Sequence, residues 1–435
     1  MSGLEIGFGS LGVLLLLMLL RVPVGIALGL VAYGGIYLLL GPVAAWGILT
    51  AIPYDFTAHW TLSSVPMFLL MGYVCFHAQL TEGLFRVARA WLSWLPGGLA
   101  VASVGASAAF SAVTGSSVAC AAAMGRIVVP EMLRANYDKG LATGVVAAAG
   151  TIGSMIPPSI ILLIYGIFAE VPIGKLFVAG ILPGLLSAFM FGLMIVIRVS
   201  RNPELAPTTS VRETLAEKLA AFRGTWPVIV LVIGVFGGLF GGVFTPTEAG
   251  AVGAGLAFLI AFAQRTLTRK TMGQAVLETL YSTSSIFIIA IGAALLTRLM
   301  ALAGVADYLS DLVVQHEVGT IGLLIGISVV YLILGMFLDP IGIMLLTLPI
   351  FLPVVQHVGV DLIWFGILLA KYLEIALITP PVGLNVFVIK GMVGNLVSTA
   401  TIYRGVMWFL VADLITLGLL IGFPAITLTL PSLMD

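Results

Sequence analysis

Long apolar segments separated by short polar connections make up almost the whole chain. Residues 11–20 read LGVLLLLMLL, and many later windows reach the roughly 20 apolar residues that a helix needs to cross a bilayer. This pattern predicts an all-α polytopic membrane protein. The predicted crossings are residues 4–20, 22–40, 62–78, 137–168, 173–199, 225–244, 246–264, 275–297, 360–393 and 398–423.

Two further apolar regions, 97–133 and 317–357, are interrupted near their middles. The interruptions read AVTGSSVA at 112–119 and GMFLDPIG at 335–342. Each region has the length of two crossings, or of a re-entrant hairpin that enters and leaves the membrane on the same side. The apolar pattern alone leaves both possibilities open.

A proline pair breaks two of the predicted crossings. The broken segments are GTIGSMIPPSIILL at 150–163 and ALITPPVGLNVFV at 376–388. A proline removes the donor for a carbonyl one turn earlier, and in hydrocarbon every such group needs a partner. A single proline kink need bind nothing. Two breaks, each matched by a polar interruption, favour two sites where carbonyls and hydroxyls enclose a small cation and helix-end N–H groups face an anion.

Composition and charge narrow the class of protein. Of the 435 residues, 60% are hydrophobic and 9% are charged, whereas soluble domains carry about 25% charged residues. Nineteen basic residues balance nineteen acidic ones, so the net charge indicates no nucleic-acid partner. Cys75 and Cys120 lie in apolar segments, where we expect them to be packed in the interior.

The positions of Lys and Arg orient the chain, because cytoplasmic loops are rich in these residues. They cluster near 198–223, near 265–270 and on both sides of 97–133, whereas the flanks of 317–357 carry none. We therefore expect the basic groups in the cytoplasm and those flanks outside. With ten crossings and two hairpins, both termini are external. Two crossings per interrupted region would give the same parity, so charge does not decide between them.

Two polar segments lie outside this pattern of crossings. The N-terminal segment MSGLEIGFGS has an acidic residue and no basic one, so we expect 4–20 to be a retained crossing and not a cleaved signal peptide. The longest polar stretch covers 200–226. In it, Ser210 and Glu213 fit a capping box that opens a short amphipathic helix joining the two halves of the chain.

Landmarks of the sequence recur at a separation of 223 residues. The coinciding pairs are Ser116 with Asp339, Pro130 with Pro353, Asp138 with Asp361, Pro157 with Pro380 and Pro158 with Pro381. By the charge assignment, the first copy runs from inside to outside and the second from outside to inside. The sequence therefore predicts an inverted-topology repeat, which is frequent in secondary transporters.

The motifs at the interruptions and breaks resemble those of a known family. TGSSVACAA with GTIGSMIPPS, and GMFLDPIGIMLL with ITPPVGLNVFV, look like the large membrane subunit of TRAP transporters, the tripartite ATP-independent periplasmic transporters of organic acids. The turn FTPTEAGAVGA at 244–254 is similar too, and the resemblance covers essentially the whole chain. It implies sodium-coupled secondary active uptake of a small anionic organic acid by an elevator mechanism. Na⁺ is then the coupling ion, with no other cofactor.

The resemblance also implies partners and a location. A periplasmic substrate-binding protein delivers a small-molecule carboxylate, a small four-helix membrane subunit braces the scaffold, and the lipid bilayer surrounds a multi-pass protein of the bacterial inner membrane. Dicarboxylates, keto acids, sialic acid and sugar acids all suit such a system. Because the binding protein largely sets specificity in this family, the sequence predicts no particular acid.

A division into scaffold and transport parts follows from the same resemblance. The predicted parts are 1–61, scaffold helices; 62–180, a first repeat core with hairpin 97–133 and broken helix 137–168; 181–274, scaffold helices with an amphipathic arm at 204–222; 275–395, a second repeat core with hairpin 317–357 and broken helix 360–393; and 396–435, a C-terminal helix.

By the same resemblance, two sodium sites are built mostly from backbone oxygens, the ligand type that hard cations prefer. The first site is similar to Ser111, Ser116, Gly153, Ile156 and Pro158, and the second to Gly335, Ala376, Thr379 and Val382. Ala376 stands where the family pattern leads us to expect glycine. The candidates for substrate binding are Ser116, Ser159, Asp339 and Asn385.

Several charged residues have two interpretations. Asp339 is an ionisable residue at membrane depth, which makes it a functional candidate, and it also fits a helix cap with Pro340 at the first position. These roles are compatible. Lys371 and Glu374 share a helix face; they form either a self-neutralising pair or a cationic group that attracts a carboxylate.

Further polar residues are assigned mainly to structural roles. Arg126 and Arg298 are candidate cations for an anionic substrate, but interface positions with extended side chains are favoured. Thr245, Pro246 and Glu248 fit a capping box with proline at the first helical position.

Enzymatic signatures are absent from the sequence. His316-Glu317 is followed by Val-Gly-Thr and not by the spacing of a zinc protease, no Walker A motif occurs, and no His/Cys cluster predicts a transition-metal site. We therefore expect no enzymatic activity. A proton-coupled organic-anion transporter and a passive channel subunit remain alternatives. Two occluding sites favour a carrier, and cages that are neutral apart from Asp339 favour sodium over protons.

Overall fold

The computed structural model describes residues 2–207 and 214–434, and all regular structure in those residues is helical. In the first half, the α-helices are α1 (Gly3–Leu19), α2 (Val24–Leu40), α3 (Pro42–Thr57), α4 (Ser64–His77), α5 (Glu82–Leu92), α6 (Gly98–Thr114), α7 (Ser117–Arg134), α8 (Lys139–Thr151), α9 (Ile160–Phe168) and α10 (Ile173–Arg201). In the second half they are α11 (Leu215–Ala221), α12 (Trp226–Phe240), α13 (Pro246–Ala263), α14 (Arg269–Ala303), α15 (Val305–Gln315), α16 (Thr320–Gly335), α17 (Pro340–His357), α18 (Leu362–Ala376), α19 (Leu384–Val393), α20 (Thr399–Gly422) and α21 (Ala425–Leu428).

The apolar helices make this chain a multi-pass membrane protein. Among the described residues, six helices are long and apolar enough to cross a bilayer, and a seventh crossing arises if the pair at 215–240, bent by 62°, counts as one. Helices α1 and α2 coincide with predicted crossings but have only 17 residues each. Each predicted crossing that contains a proline pair is divided into two helices, α8 with α9 and α18 with α19.

Helices α3, α5 and α15 were not predicted. They have 16, 11 and 11 residues, fewer than the roughly 20 that a helix needs to cross a bilayer. Helices α5 and α15 also carry their apolar residues on one face and so do not form continuous apolar runs. A search for long apolar segments therefore passes over them.

The two interrupted regions form helical hairpins. Gly115 and Ser116 connect α6 to α7, and residues 336–339 connect α16 to α17, so both connections lie inside the predicted interruptions. Gly115 adopts a left-handed φ of 60° that ends α6. Ser116 and Asp339 then cap the helices that follow, each accepting a backbone N–H with its side chain.

Residues separated by 223 positions occupy equivalent places. Asp138 and Asp361 cap the first halves of the two broken helices, α8 and α18. Pro130 and Pro353 lie inside the second helix of each hairpin. The two proline pairs both contain a cis peptide bond and both lie between the two halves of a broken helix.

Glycines allow the helices around the first break to approach closely. A Cβ atom at Gly405 of α20 would collide with the carbonyl oxygen of Gly140 in α8, and one at Gly144 would lie 2.7 Å from the Gly405 carbonyl carbon. Small residues are the usual means of close helix contact within membranes. The backbones of α8 and α20 are therefore in direct contact.

Part of the polar connection lies outside the described residues, including the predicted capping box of Ser210 and Glu213. Immediately after that segment, Thr214 and Glu217 form a capping box at the start of α11. The predicted capping box of Thr245 and Glu248 opens α13 with Pro246 at its first turn, so this prediction is confirmed.

Candidate functional site

The first broken helix leaves three backbone carbonyls without their helical donors. Pro157 has no N–H group to offer the Gly153 carbonyl. The N–H of Ile160, which would serve Ile156 in a continuous helix, bonds to the Gly115 carbonyl at 3.3 Å. The N–H of Leu162 bonds to the Ser159 hydroxyl at 3.2 Å instead of to the Pro158 carbonyl. The three carbonyls are those that the resemblance assigns to the first ion site.

The tip of the first hairpin packs directly on this break. A Cβ atom at Gly153 would lie 3.3 Å from the Ser111 hydroxyl oxygen and 3.2 Å from the Ser116 carbonyl carbon. A Cβ atom at Gly115 would collide with the Pro158 carbonyl oxygen. The structure thus brings Ser111, Ser116, Gly153 and Pro158 together.

Ser111 and Ile156 make further contacts at the first site. Ser111 lies in the last turn of α6 and not in the connection itself, and its hydroxyl donates to the Ser107 carbonyl at 2.7 Å. Ile156 contacts α10, because a Cβ atom at Gly184 would lie 2.7 Å from its Cγ1 atom. Ile156 therefore lines the side of the break that faces α10.

Three serine hydroxyls stabilise the conformation of the first break. Ser117 and Ser154 were not predicted as site residues, and Ser159 was predicted to bind substrate. The Ser159 hydroxyl donates to the Ser154 carbonyl at 2.5 Å, which replaces the donor that Pro158 lacks, and it caps α9. The hydroxyls of Ser117 and Ser154 are 2.6 Å apart and link α7 to the break. Ser159 therefore has a structural role here. Hydroxyls next to a proline pair are the signal that could have identified Ser154.

The second break has a related geometry with fewer free carbonyls. A Cβ atom at Gly335, the last residue of α16, would collide with the Cβ atom of Ala376, so the predicted pair is in contact. The Ala376 carbonyl accepts a long 3.3 Å bond from the Thr379 N–H. The Thr379 hydroxyl donates to the Ile375 carbonyl at 2.7 Å, and its oxygen lone pairs remain available.

Tyr403 of α20 occupies part of the second break. Its hydroxyl lies 2.8 Å from the Val382 carbonyl oxygen and 2.6 Å from that of Pro381. The carbonyl of Val382, which the resemblance assigns to the second site, is thus already a hydrogen-bond acceptor. Tyr403 is distant in sequence from both breaks, so no local pattern identifies it.

Asp339 and Asn385 both have defined contacts. The Asp339 carboxylate accepts the Gly342 N–H at 2.8 Å, which confirms its role as a cap with Pro340 at the first helical position. The Asn385 amide is fully buried and donates to the Ala147 carbonyl at 3.1 Å, while its Oδ1 atom has no partner among the described residues. Asn385 therefore ties the second break to α8.

Lys371 and Glu374 belong to a buried ionic network that also contains Asp413. All three side chains are fully buried. The Lys371 ammonium lies 3.1 Å from Glu374, 2.5 Å from Asp413 and 3.0 Å from the Ser187 hydroxyl. The contact with Glu374 agrees with the first of the two predicted interpretations, and Asp413 adds a second carboxylate. The Lys371 ammonium lies in the interior of the molecule, where these three hydrogen bonds satisfy it.

The ionic network joins the two breaks. The Thr151 hydroxyl at the end of α8 donates to Glu374 at 2.9 Å, and Glu374 lies two residues before Ala376. Ser187 adds α10 to the network and Asp413 adds α20. One cluster of side chains thus contacts both broken helices and two of the helices that pack on them.

Comparisons with known proteins identify the family. Residues 11–426 match the family described as the DctM component of the tripartite ATP-independent periplasmic transporters. The C4-dicarboxylate TRAP transporter large permease protein DctM of Pseudomonas aeruginosa is 36% identical over 382 residues, covering 87% of this chain and 88% of that protein. The sialic acid TRAP transporter permease protein SiaT of Haemophilus influenzae is 31% identical over 431 residues, covering 98% of this chain and 68% of that protein.

The chain belongs to the DctM family of TRAP transporter components. The predicted resemblance is therefore confirmed, as is the expectation of a transport protein and not an enzyme. The structure of the Alcanivorax borkumensis YdaH transporter has a TM-score of 0.64 to this chain at 15% identity, covering 89% of this chain and 90% of that one. At that identity the similarity concerns the fold.

The two arginines considered for substrate lie on the outside of this DctM-family chain. Arg126 and Arg298 are both exposed, and the Arg126 guanidinium stacks over the Phe76 ring at 5.6 Å. Neither is in contact with the broken helices in the described hydrogen bonds and ion pairs. Their positions agree with the favoured interface roles.

Proposed function

We propose that this DctM-family chain couples sodium entry to the uptake of a small organic anion across the bacterial inner membrane. The observation that supports this function best is the capture of the Ile160 N–H by the Gly115 carbonyl. This bond joins the hairpin connection to the broken helix and leaves the Ile156 carbonyl without its helical donor. Pro157 and the Ser159 cap leave the carbonyls of Gly153 and Pro158 without theirs. Unwound carbonyls next to helix ends are the usual ligands of coupling ions in transporters.

The proposed sodium sites consist of neutral oxygen atoms. At the first site, the hydroxyl of Ser111 and the region of Ser116 lie beside the freed carbonyls of the break. At the second, Gly335 and Ala376 are in contact, and Thr379 and Val382 follow within the break. A monovalent hard cation suits such oxygen-rich, uncharged cages. The Tyr403 hydroxyl would hold the Val382 carbonyl in place while a second lone pair of that oxygen faces the ion.

The proposed substrate is a carboxylate. Ser116 caps α7, and the first turns of α7 and α9 direct backbone N–H groups toward the first break, where a negative group is favoured. Asn385 and Asp339 are the corresponding candidates near the second break. The relatives named above carry C4-dicarboxylates and sialic acid by name, which are organic acids of different size. We assign the substrate class and no particular acid.

The proposed partners are a periplasmic binding protein and a small four-helix membrane subunit. The family is described as one component of a tripartite system, and this chain corresponds to only 68% of the longer sialic acid permease. The remainder of that permease is long enough to hold a second membrane subunit. In this assembly, the small subunit braces the scaffold and the binding protein delivers the acid.

We further propose that both breaks and both hairpins move together as an elevator. The contact between Thr151 and Glu374 joins residues that are 223 positions apart, which is the separation of the repeat. Residues related by a two-fold axis touch each other only where they lie near that axis. The ionic network would then sit at the centre of an inverted repeat and hold its halves as one body.

The test is uptake of a labelled organic acid by proteoliposomes that contain this subunit with its small membrane partner and binding protein. We expect uptake that requires an inward sodium gradient and the binding protein. Uptake driven by a proton gradient alone would instead assign coupling to Asp339, Glu374 or Asp413, and a leak that needs no gradient would assign a channel.

Matched variants test the sites themselves. Ser111→Ala and Thr379→Ala should each raise the sodium concentration for half-maximal uptake on the order of tenfold, since one ion–oxygen contact is worth about 1–2 kcal/mol. The controls are Ser103→Ala and Thr143→Ala, whose hydroxyls, among the described residues, bond to carbonyls of their own helices. Equal sodium dependence in all four variants would refute the assignment.

A further inference from the structure

An apolar groove runs between α10 and α20 on the surface of the molecule. It encloses about 590 Å³. Its walls come from aliphatic, methionine and tryptophan side chains of both helices, among them Met190, Leu193, Val411 and Ile415. Leu193, Val411 and Ile415 are 40–51% exposed, as suits a face that meets the hydrocarbon of a bilayer.

One end of the groove is strongly basic. Arg198, Arg201 and Asn202 line it there. The Arg198 guanidinium stacks over the Trp408 ring at 5.3 Å, and its Nη1 atom is buried without a hydrogen-bond partner among the described residues. The Asp138 carboxylate interacts electrostatically with the Arg198 guanidinium. One oxygen of this carboxylate already accepts the Leu141 N–H at 2.8 Å. The groove therefore ends in two cations, and neither has a described ion pair.

The residues that line the groove extend about as far along α10 as half of the hydrocarbon core of a bilayer. Met190 and Arg201 are eleven residues apart on the same helix, which corresponds to about 16 Å at 1.5 Å per residue. Half of the hydrocarbon core of a bilayer is about 15 Å thick. With its basic end at the headgroup level, a groove of this length would reach the middle of the membrane.

The basic end faces the leaflet that carries anionic lipids. Arg198 and Arg201 belong to the basic cluster at 198–223, which the charge distribution assigns to the cytoplasm. Cytoplasmic leaflets are rich in anionic phospholipids, and basic pockets between helices on that side bind their headgroups. Trp408 at the same end is 51% exposed, as expected for an aromatic ring at the level of the headgroups.

We propose that this groove binds one anionic phospholipid of the cytoplasmic leaflet. The phosphate is held by the guanidinium groups of Arg198 and Arg201, with Asn202 as a further donor. One acyl chain lies along the apolar walls between α10 and α20. Both helices contact the buried ionic network through Ser187 and Asp413, so the lipid stabilises the helices that enclose the candidate ion sites. The lipid site does not depend on the proposed sodium coupling.

Native mass spectrometry of the purified protein tests this site. The protein is exchanged into detergent with phosphatidylglycerol or phosphatidylcholine at equal concentration, and the bound lipid is counted. We expect one retained phosphatidylglycerol. The double variant Arg198→Gln/Arg201→Gln should weaken its retention roughly tenfold or more. The control Arg265→Gln/Arg269→Gln removes the same charge from another cytoplasmic segment and should retain the lipid.

A second measurement locates the lipid. Brominated phosphatidylglycerol in nanodiscs should quench the fluorescence of Trp408, taken as the difference between the wild-type protein and Trp408→Phe, more strongly than brominated phosphatidylcholine. Filling the groove with Val411→Trp in the Trp408→Phe background should lower phosphatidylglycerol retention without removing the arginines.

Three outcomes would overturn the proposal. Equal retention of the two lipids would show that the basic end does not select the headgroup. Equal loss in the Arg265→Gln/Arg269→Gln control would assign the effect to net charge. Displacement of the lipid by millimolar inorganic phosphate alone would assign an anion site to the arginines and no acyl chain to the groove.

Discussion

Gly115 has a left-handed backbone conformation and lies against the first candidate ion site. Its φ is 60°, and a Cβ atom there would collide with the Pro158 carbonyl oxygen. We expect Gly115→Ala to separate the hairpin connection from the break and to reduce uptake at limiting sodium by tenfold or more, an effect of about 1.4 kcal/mol or larger. The measurement is the sodium dependence of uptake in proteoliposomes.

A matched control separates the collision from the strain of the left-handed conformation. Gly304 has a φ of 69°, but no atom lies within 4 Å of a Cβ placed there. Gly304→Ala therefore introduces similar backbone strain and no collision. If Gly304→Ala reduces uptake as strongly as Gly115→Ala, the contact between Gly115 and Pro158 is not the cause.

Lys371 is hydrogen-bonded to two buried carboxylates, those of Glu374 and Asp413. We expect Lys371→Met to destabilise the protein by about 3–5 kcal/mol, because Glu374 and Asp413 would be left buried without their cation. Thermal unfolding in detergent, followed by intrinsic fluorescence, measures the effect as a lowered melting temperature. The triple variant Lys371→Met/Glu374→Gln/Asp413→Asn removes all three charges and should recover most of the loss. A single variant that melts no lower than the triple variant would contradict this account.

At the scale of elements, the contact between α8 and α20 depends on glycine. Gly405→Ala places a methyl group against the Gly140 carbonyl, and overpacking of this kind costs about 1–3 kcal/mol. We expect a lower melting temperature and loss of uptake together, because α20 also carries Tyr403 and Asp413. Gly418→Ala on the same helix meets no atom within 4 Å and should leave both unchanged. Equal melting temperatures of the two variants would refute the importance of this contact.

Most elements could be predicted from the sequence because their signals are local. Apolar length predicted five of the six helices that are long and apolar enough to cross a bilayer among the described residues. The sixth, α17, lies in the interrupted region 317–357. The paired interruptions predicted the connections at Gly115–Ser116 and at residues 336–339. Helices α5 and α15 were not predicted, because an amphipathic helix of 11 residues has no continuous apolar run. The fold class and the positions of the breaks therefore follow from pattern and proline chemistry.

The contacts between distant elements could not be predicted in the same way. Lys371 and Glu374 are three residues apart, so helical spacing predicts their pairing. Asp413, Tyr403 and Thr151 join the breaks from 21 to 223 residues away, and only tertiary packing brings them there. The sequence thus predicts which residues next to the prolines belong to the candidate site. It does not predict which distant residues connect the two breaks.

At the scale of the whole molecule, the contact between Thr151 and Glu374 links the two candidate ion sites. If both sites bind sodium within one body, occupation of one favours the other, and sodium-dependent uptake has a Hill coefficient above one. Thr151→Val keeps the shape of the side chain and removes the hydroxyl that donates a hydrogen bond to Glu374. We expect the Hill coefficient to fall toward about one, since the conformations of the two breaks are then less strictly coupled.

The control for this last variant lies two turns earlier on the same helix. Thr143 is buried, and within the part of the chain that the structure describes its hydroxyl bonds to carbonyls of α8. Thr143→Val should therefore leave the Hill coefficient unchanged. A variant Thr151→Val that keeps full cooperativity would show that the breaks communicate by another route, of which the Asn385 bond to the Ala147 carbonyl is the nearest. Cooperativity that is absent already in the wild-type protein would mean that the two breaks bind sodium independently or that only one binds it. The ionic network would then have a role in stability alone, which the melting of Lys371→Met measures separately.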